Sequence, residues 1–310
     1  MPSRLDIRHL EMVLALKQER TLGDAARALR VTPSALSHRI REAERRLDVL
    51  LYQKQGRTLR PTVAAEILAD TAERLLPDLE RTEQLAIATT IGVRHIVRIT
   101  VAIYNSYHWL PAFLSRFRDD HPSIEIDVEA DAVLYPLENL AADRVDLVLS
   151  PGVTVPPGFE RRPLFPDELV AFSTPGHPFA QQRFVTPADF QTETNLTYSM
   201  VREPGFEWDR FWKDAESHAA REVKIGSVEA ISELVKAGLG VAILSRWAMT
   251  PHLELGTLSA TQLGTQGIDM TWNAVVRRSA AQDAPERTVA QALSDWFRET
   301  GSDERTLQSI

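Results

Sequence analysis

The chain has 310 residues and a net charge of −8, a length that accommodates about two or three domains. It contains no cysteine, which excludes disulfides, thiol nucleophiles and cysteine metal sites and fits a reducing compartment. The charge is unevenly spread: residues 1–62 carry 13 Lys and Arg against 7 Asp and Glu, and the other 248 carry 22 against 36, so a small basic head, suited to a nucleic acid, precedes an acidic body with another task.

Residues 6–19 place Ile7, Leu10, Val13, Leu14 and Leu16 at helical spacing, predicting a first helix. Residues 21–47 read as two short helices meeting at a tight turn. Thr21 caps the first, with Asp24 near its positive end, and Ala25, Ala26 and Leu29 form its apolar face. Thr32 caps the second, and Pro33 suits its first position, where no backbone donor is needed. Leu36, Ile40, Ala43 and Leu47 face a core, leaving Ser34, Ser37, His38, Arg41 and Arg45 opposite. Small residues at the start of a helix, followed by cations, suit entry into a DNA major groove. We assign Ser34, Ser37 and His38 to base edges or their neighbourhood, and Arg39 and Arg41 to the backbone. Beyond Leu47, two short extended pieces flank Gly56. This predicts a β-hairpin wing whose Lys54, Arg57 and Arg60 are placed for phosphates or the minor groove.

Over residues 62–90, Ile67, Leu68, Leu75, Leu76, Leu79, Leu85 and Ile87 recur without glycine, with Pro77 inside. So long an apolar stripe is best buried against the same helix of a second chain, and Gly92 reads as a hinge.

From residue 95 strands and helices alternate. Strands are expected at 96–103, 124–129, 146–150, 161–172, 196–198, 223–225, 240–244 and 270–277. Helices are expected at 106–118, 134–142, 187–190, 207–217, 228–236 and 285–297. Such alternation implies parallel sheets covered by helices, with ligands at the carboxyl ends of strands or between lobes. The domains expected are 1–62 (winged helix-turn-helix), 63–92 (linker helix and hinge) and 93–310 (effector domain), with lobe I at about 93–167 and 267–300 and lobe II at about 168–266. The candidate effector residues are Tyr104, Asn105 and Ser106 after the first strand, Glu129 and Asp131 after the second, and Ser150 after the third. In the second lobe they are Thr197, Tyr198, Ser199 and Ser227. Helix starts after strands offer backbone donors to anions, and an acidic residue would hold the ammonium group of an amino acid. The plainer account of such serines is that they cap helices.

Three features carry a resemblance to a known family. They are Ala25-Ala26-x-x-Leu29, Ser34-Ala35-Leu36-Ser37 with Glu44-x-x-Leu47, and Leu51-Tyr52 with Thr62. With them the chain resembles the LysR-type transcriptional regulators from Leu5 to about Phe297. Trp109-Leu110 and Ala64-Ala65-Glu66-Ile67-Leu68 look most like the methionine-regulator branch, which senses homocysteine. The resemblance implies a winged helix-turn-helix, a dimerising linker helix and a two-lobed effector domain like a periplasmic binding protein. It also implies a cytoplasmic homotetramer that bends promoter DNA at imperfect inverted repeats, activates or represses, and controls recruitment of RNA polymerase in response to a small-molecule co-inducer. The sequence departs from the family at Pro33, which stands for a usual Gln and cannot read adenine. It departs again at Asp48 for Gly, Tyr52 for Phe, and Val63-Ala64-Ala65 for Pro-x-Gly, so the operator sequence does not carry over from relatives.

An enzyme is not expected. The histidines show no metal-ligand spacing, and GxSxG, a phosphate loop and GxGxxG are absent from the sequence. No cofactor or metal is expected, and no bilayer-spanning stretch is read. The alternative is a two-lobed small-molecule binding protein without DNA function. It leaves the basic head and the lack of a signal-peptide pattern at the start unexplained.

Overall fold

The computed structural model describes residues 3–19, 21–55, 58–104, 106–152, 155–198 and 207–307. The chain forms two compact units, Met1–Gly92 and Val93–Ile310.

The first unit opens with helices α1 (Ile7–Gln18), α2 (Leu22–Ala28) and α3 (Pro33–Leu47). It continues with the antiparallel strands β1 (Tyr52–Gln55) and β2 (Thr58–Pro61), then the 26-residue helix α4 (Val63–Ala88). Its core joins Met12 and Val13 of α1, Ala25 and Ala26 of α2, Leu36, Ile40 and Ala43 of α3, and Ala65, Ala69 and Ala72 of α4. The small alanines let α1 and α4 approach closely, and Lys17 ties the two by reaching Asp70 (2.8 Å) and Glu73 (3.0 Å). The face of α1 differs from the expected one: His9, Met12, Val13 and Ala15 are buried and Ile7 is exposed. His9, Met12 and Val13 share one side of the helix, and at about 100° per residue Ile7 falls about 120° or more from each of them. The apolar residues of α4 also divide. Leu68 and Leu76 pack on the core, whereas Val63, Ile67, Leu75 and Ile87 are exposed in the single chain. Pro77 is accommodated within α4.

The second unit begins with β3 (His95–Val101), α5 (Leu110–Asp120), β4 (Ile124–Val128), α6 (Pro136–Ala141) and β5 (Leu147–Ser150). The strand β6 (Phe159–Ser173) is 15 residues long; β7 (Phe184–Val185), β8 (Thr194–Thr197), β9 (Arg221–Lys224), α7 (Val228–Lys236) and β10 (Ala242–Ser245) follow. A short helix α8 (Thr250–Glu254), β11 (Ser259–Leu263), β12 (Ile268–Arg277) and α9 (Pro285–Leu307) complete the unit.

The main sheet is mixed rather than parallel. β3 pairs in parallel with β4 and β5, as the alternating pattern predicts. β12 is antiparallel to β5 and β6, and β10 and β11 are antiparallel to β6. The reason is that two long strands, β6 and β12, run side by side in opposite directions over ten residue pairs, carrying the chain out to the second lobe and back. Their register slips between Trp272 and Asn273, opposite the segment holding Pro163 and Pro166, where proline cannot donate to the ladder. β8 and β9 form a separate parallel pair.

Several expected helices are shortened for visible reasons. Pro111 cannot sit deeper than the first turn of a helix, so α5 starts at Leu110 and Ser106 lies in the preceding turn. Pro136 breaks the helix expected at 134–142 into a 3-10 turn, Ala130–Leu134, and α6. The segment expected as a helix at 207–217 is a single π turn, Trp208–Trp212. Gly240 is required by close approach: a Cβ there would lie 2.5 Å from the carbonyl oxygen of Thr194.

Candidate functional site: a DNA-reading helix and an effector cleft

The hydroxyl oxygen of Thr21 accepts the Asp24 amide (3.1 Å), and that of Thr32 accepts the Ala35 amide (3.2 Å), so both helices of the pair are capped as the sequence predicts. With Leu36, Ile40 and Ala43 buried, the outward face of α3 presents Ser34, His38 and Arg41 exposed, with Ser37 half-buried beside them. Ser34 is within 3.2 Å of the Thr32 hydroxyl. Arg39 is half-buried and turned back toward α1, where it donates to the Arg8 carbonyl at 3.4 Å. Arg41 is therefore the freer of the two arginines assigned to phosphates. Arg60 is exposed on β2, opposite Gln53. Lys54 stands on β1 opposite Leu59, with its side chain outside the described residues. Arg57 also lies outside them.

Glu44, which sequence reading treated as motif alone, anchors the wing to α3. Its carboxylate accepts the amides of Leu51 (2.9 Å) and Tyr52 (3.2 Å). Thr62 secures the other end, donating to the carbonyls of Leu50 and Leu51 while capping α4. Asp48, in place of a glycine, ends α3 in the left-handed conformation at φ 58°.

In the second unit the candidate residues collect at strand ends. Tyr104 follows β3, Glu129 and Asp131 follow β4, and Ser150 ends β5. β3 lies between β4 and β5, so these three ends are neighbours. Thr197 ends β8, and its carbonyl accepts the Ile225 amide (2.9 Å), which brings the Ser227 turn alongside. Asn105 and Ser199 lie outside the described residues. Ser227 caps α7 through the Ala230 amide, and Ser150 accepts the Gly152 amide (3.1 Å). Both hydroxyls thus do local work. Glu129 is half-buried and Asp131 exposed. Ser106 donates to the Ala248 carbonyl (3.1 Å) and lies 3.0 Å from His108 Nδ1.

The two lobes meet at Tyr104 and Tyr198, whose ring centroids are 5.5 Å apart. Tyr104 is 3% exposed, and burial pushes its phenol well above the usual range. Its oxygen accepts the Ser245 amide (3.1 Å). Ser245 donates its hydroxyl to Asp167 (2.5 Å), which also accepts Trp272 Nε1 (2.9 Å) and the Trp247 amide (3.1 Å). Burial raises the Asp167 carboxyl against the lowering effect of these hydrogen bonds. Ser245 ends β10, Asp167 sits on β6 and Trp272 on β12, so Tyr104 is tied through Ser245 to a carboxylate held by the two long strands that join the lobes. Sequence reading missed Asp167, although an acid inside an apolar strand, Pro166-Asp-Glu-Leu-Val-Ala-Phe172, was the available signal.

A cavity of about 210 Å³ also opens between α5 and α9, lined by Phe113, Phe117, Trp296 and the Arg116–Glu299 pair. It contains none of the predicted effector residues. Among the described residues no group of three or more His, Asp or Glu is placed to hold a metal ion, and no helix is long and apolar enough to cross a membrane.

Comparison with known proteins gives matches to both units. The family described as bacterial regulatory helix-turn-helix protein, lysR family, matches residues 7–66, and the LysR substrate binding domain matches residues 92–300. The transcriptional regulator MetR of Salmonella typhimurium is 28% identical over 293 residues, 94% of this chain and 88% of that protein. MetR of Haemophilus influenzae is 27% identical, covering 89% of each. Among solved structures, the regulatory domain of MetR from N. meningitidis aligns at 25% identity and a TM-score of 0.54, covering 65% of this chain and 93% of that one. Full-length CbnR in complex with its target DNA shares the fold at a TM-score of 0.69 and 17% identity, covering 95% of this chain and 99% of that one.

Proposed function

We propose a mode of action from one premise: the chain belongs to the LysR family and is a MetR-like DNA-binding transcriptional regulator controlled by a small-molecule effector. The exposed start of α3 enters the major groove of promoter DNA. Ser34, Ser37 and His38 reach base edges, and Arg41, Arg60, Arg39, Lys54 and Arg57 engage phosphates or the minor groove. The observation that carries this reading is the outward face of α3, where the residues that make no core contact are small, polar or cationic.

Two copies pair through the exposed apolar residues of α4 and present two reading helices to two half-sites about 34 Å apart or a multiple of it. Further pairing gives a tetramer. Residues 1–62, 63–92 and 93–310 act as reader, dimerising linker and sensor. The effector enters the cleft between the lobes, among Tyr104, Asn105, Ser106, Glu129, Asp131, Ser150, Thr197, Tyr198, Ser199 and Ser227. Its occupancy changes the spacing of the reading helices and the contact made with RNA polymerase. Binding rather than catalysis is the activity assigned, and the cytoplasm, where promoter DNA is, is the compartment. Homocysteine or a related amino acid is the first effector to try, on the likeness to MetR. One solved relative is a MetR regulatory-domain mutant with two cysteines changed to serine; with no cysteine of its own, this chain must sense its effector without a thiol.

The test is retardation of a duplex carrying the region upstream of the protein's own gene or its divergent neighbour, at rising salt, with and without homocysteine. Salt-sensitive binding is expected. No affinity at low ionic strength ends the reading, and a thermal shift with effector but no DNA binding establishes the pure binding protein instead.

A further inference from the structure

Glu207 begins the π turn of the second lobe, and its carboxylate accepts Trp212 Nε1 at 2.7 Å and a side-chain hydrogen bond from Asn195. Asn195 is itself 2% exposed, and its Oδ1 has no hydrogen-bond partner. A carboxylate and an amide oxygen thus stand together, both acceptors. Among the described residues, the charged and titratable groups around them offer no compensating cation. On β9, Glu222 is directly opposite Asn195 in the β8–β9 register, and Lys224 is engaged with Glu222. On the π turn, Arg210 donates to the Asp269 carbonyl, and Asp209 adds negative charge. On the segment before β9, the His218 ring stacks on Trp212 at 5.9 Å and on Trp208 at 5.8 Å. Among the described residues, no Lys, Arg or His side chain forms an ion pair with Glu207. Burial pushes its carboxyl up to about 7, with Glu222 adding to the rise.

A pair of acceptors of this kind, with Asn195 buried and Glu207 half-buried, is completed by a donor carrying positive charge and more than one N–H. Its place in the lobe is also telling. Asn195 and Thr197 share one face of β8, two residues apart, so Asn195 lies about 6–7 Å along the strand from Thr197, which precedes Tyr198 and its contact with Tyr104.

We propose that Glu207 and Asn195 form an ammonium-binding subsite, so that the effector is a small molecule with a protonated amine. This rests on the effector-controlled reading above and deepens it. The amine is anchored in the second lobe, and the rest of the molecule extends to the Tyr104–Tyr198 contact. An ammonium group there stabilises the ionised carboxylate and draws its titration below neutrality.

Calorimetry on the full-length protein tests this with three sets of probes. They are the twenty common L-amino acids with homocysteine, their deaminated carboxylic acids, and alkylamines and diamines lacking a carboxylate. At least one amine is expected to bind and to alter retardation of the promoter duplex, with its deaminated counterpart at least tenfold weaker. The amino-acid and simple-amine arms separate the two sources of an ammonium group. Glu207→Gln, which keeps the shape and the acceptor for Trp212, is expected to weaken the amine at least tenfold and the deaminated compound less than twofold. A second readout is free of any folding defect in that variant. Tryptophan emission of the wild type is expected to change through pH 7 as Glu207 ionises beside Trp212, and saturating amine is expected to move that change to lower pH. The inference is overturned if no amine binds at 10 mM, if deaminated acids control DNA binding as well as their amines do, or if a bound amine leaves the pH transition in place. Each result leaves DNA binding itself intact, and its loss would end the broader reading separately.

Discussion

The phenol oxygen of Tyr104 receives the backbone amide of Ser245 at 3.1 Å across 141 positions of sequence. A residue at the end of the first strand is thereby fixed to the strand that ends at Ser245, and through the Ser245 hydroxyl to Asp167 on β6. A ligand that shifts Tyr104 must break or rebuild a buried hydrogen bond at the joint between the lobes. That is the physical content we give to coupling between effector and lobe arrangement.

Tyr104→Phe removes this bond together with the phenol's hydrogen bond to Tyr198. The ring contacts with Tyr198 and Trp272, at 5.5 and 5.8 Å, survive, but the Ser245 amide loses its acceptor in a buried place. An unsatisfied buried donor costs about 1–3 kcal/mol. Denaturant unfolding is expected to show a loss of that size, with the effect of effector on DNA binding reduced. A variant as stable as wild type that still responds fully would remove Tyr104 from the coupling.

Asp146 organises a second buried centre. Its carboxylate accepts Arg98 Nη2 at 2.7 Å and Nε at 2.9 Å and Arg277 Nη2 at 3.0 Å, while Arg98 also donates to the carbonyls of Asp143 and Arg144. Burial alone would raise the Asp146 carboxyl, but the Arg98 bonds and charge, with Arg277, outweigh it and hold it below the usual carboxylate value of 3.8. A group depressed on folding adds stability that is fully present above its unfolded pKa and is lost as pH falls through the folded one. The protein is therefore expected to lose stability below about pH 4 partly through this residue. Asp146→Asn leaves Arg98 buried and unpaired, which costs about 3–5 kcal/mol, and removes that share of the acid dependence. Melting curves from pH 3 to 7 on both proteins check the magnitude and the sign.

At the DNA face, Arg41 and His38 are expected to fail differently. Arg41 is exposed and makes no core contact, so Arg41→Ala should weaken binding to all sequences alike. It should lower the slope of log affinity against log salt by about 0.9. His38→Ala should leave that slope nearly unchanged and lower discrimination between operator and mismatched duplex by about 1–3 kcal/mol. Equal loss of slope in both variants would place His38 on the phosphates.

Much of this was readable beforehand where a local signal fixes a local shape. Thr21, Thr32 and Pro33 announce two helix starts, and all four helices of the first unit begin where caps or periodicity put them. The reading failed where distant pairing decides. The antiparallel course of β12 against β5 and β6 has no signature in either strand alone, because apolar runs look the same in both directions. The strands β7 and β11 were missed for the same reason: both are short, β7 at the edge and β11 between β6 and β7, and their partners define them. The hub at Asp167 depends on Ser245, Trp247 and Trp272, which only the folded sheet brings to one carboxylate.

Asp48 gives a prediction in the stabilising direction. It ends α3 at φ 58°, ψ 40°, a conformation that costs residues with a Cβ roughly 1–2 kcal/mol, eased for aspartate. Asp48→Gly removes the strain at the expense of some added freedom in the unfolded chain. A net gain of about 0.5–1 kcal/mol is expected, read as a higher unfolding midpoint of the first unit.

The helix α4 decides whether one chain can act alone. Its inner face is small and sealed, with Ala65, Ala69 and Ala72 against α1, while Ile67 is 61% and Leu75 50% exposed on the outside, with Val63 one turn before Ile67. Apolar side chains on a long helix gain about 25 cal/mol for each Å² removed from water, and a partner helix laid along them supplies that burial. The double change Ile67→Glu and Leu75→Glu places two carboxylates in the proposed contact and touches none of the inner alanines. The helix content by circular dichroism is expected to stay near wild type, while light scattering shows the mass of a single chain. DNA affinity should fall by at least tenfold on a two-half-site duplex and by less on a single half-site, since only the pair gains from reading both. Unchanged mass in the double variant would move the dimer contact off this face of α4.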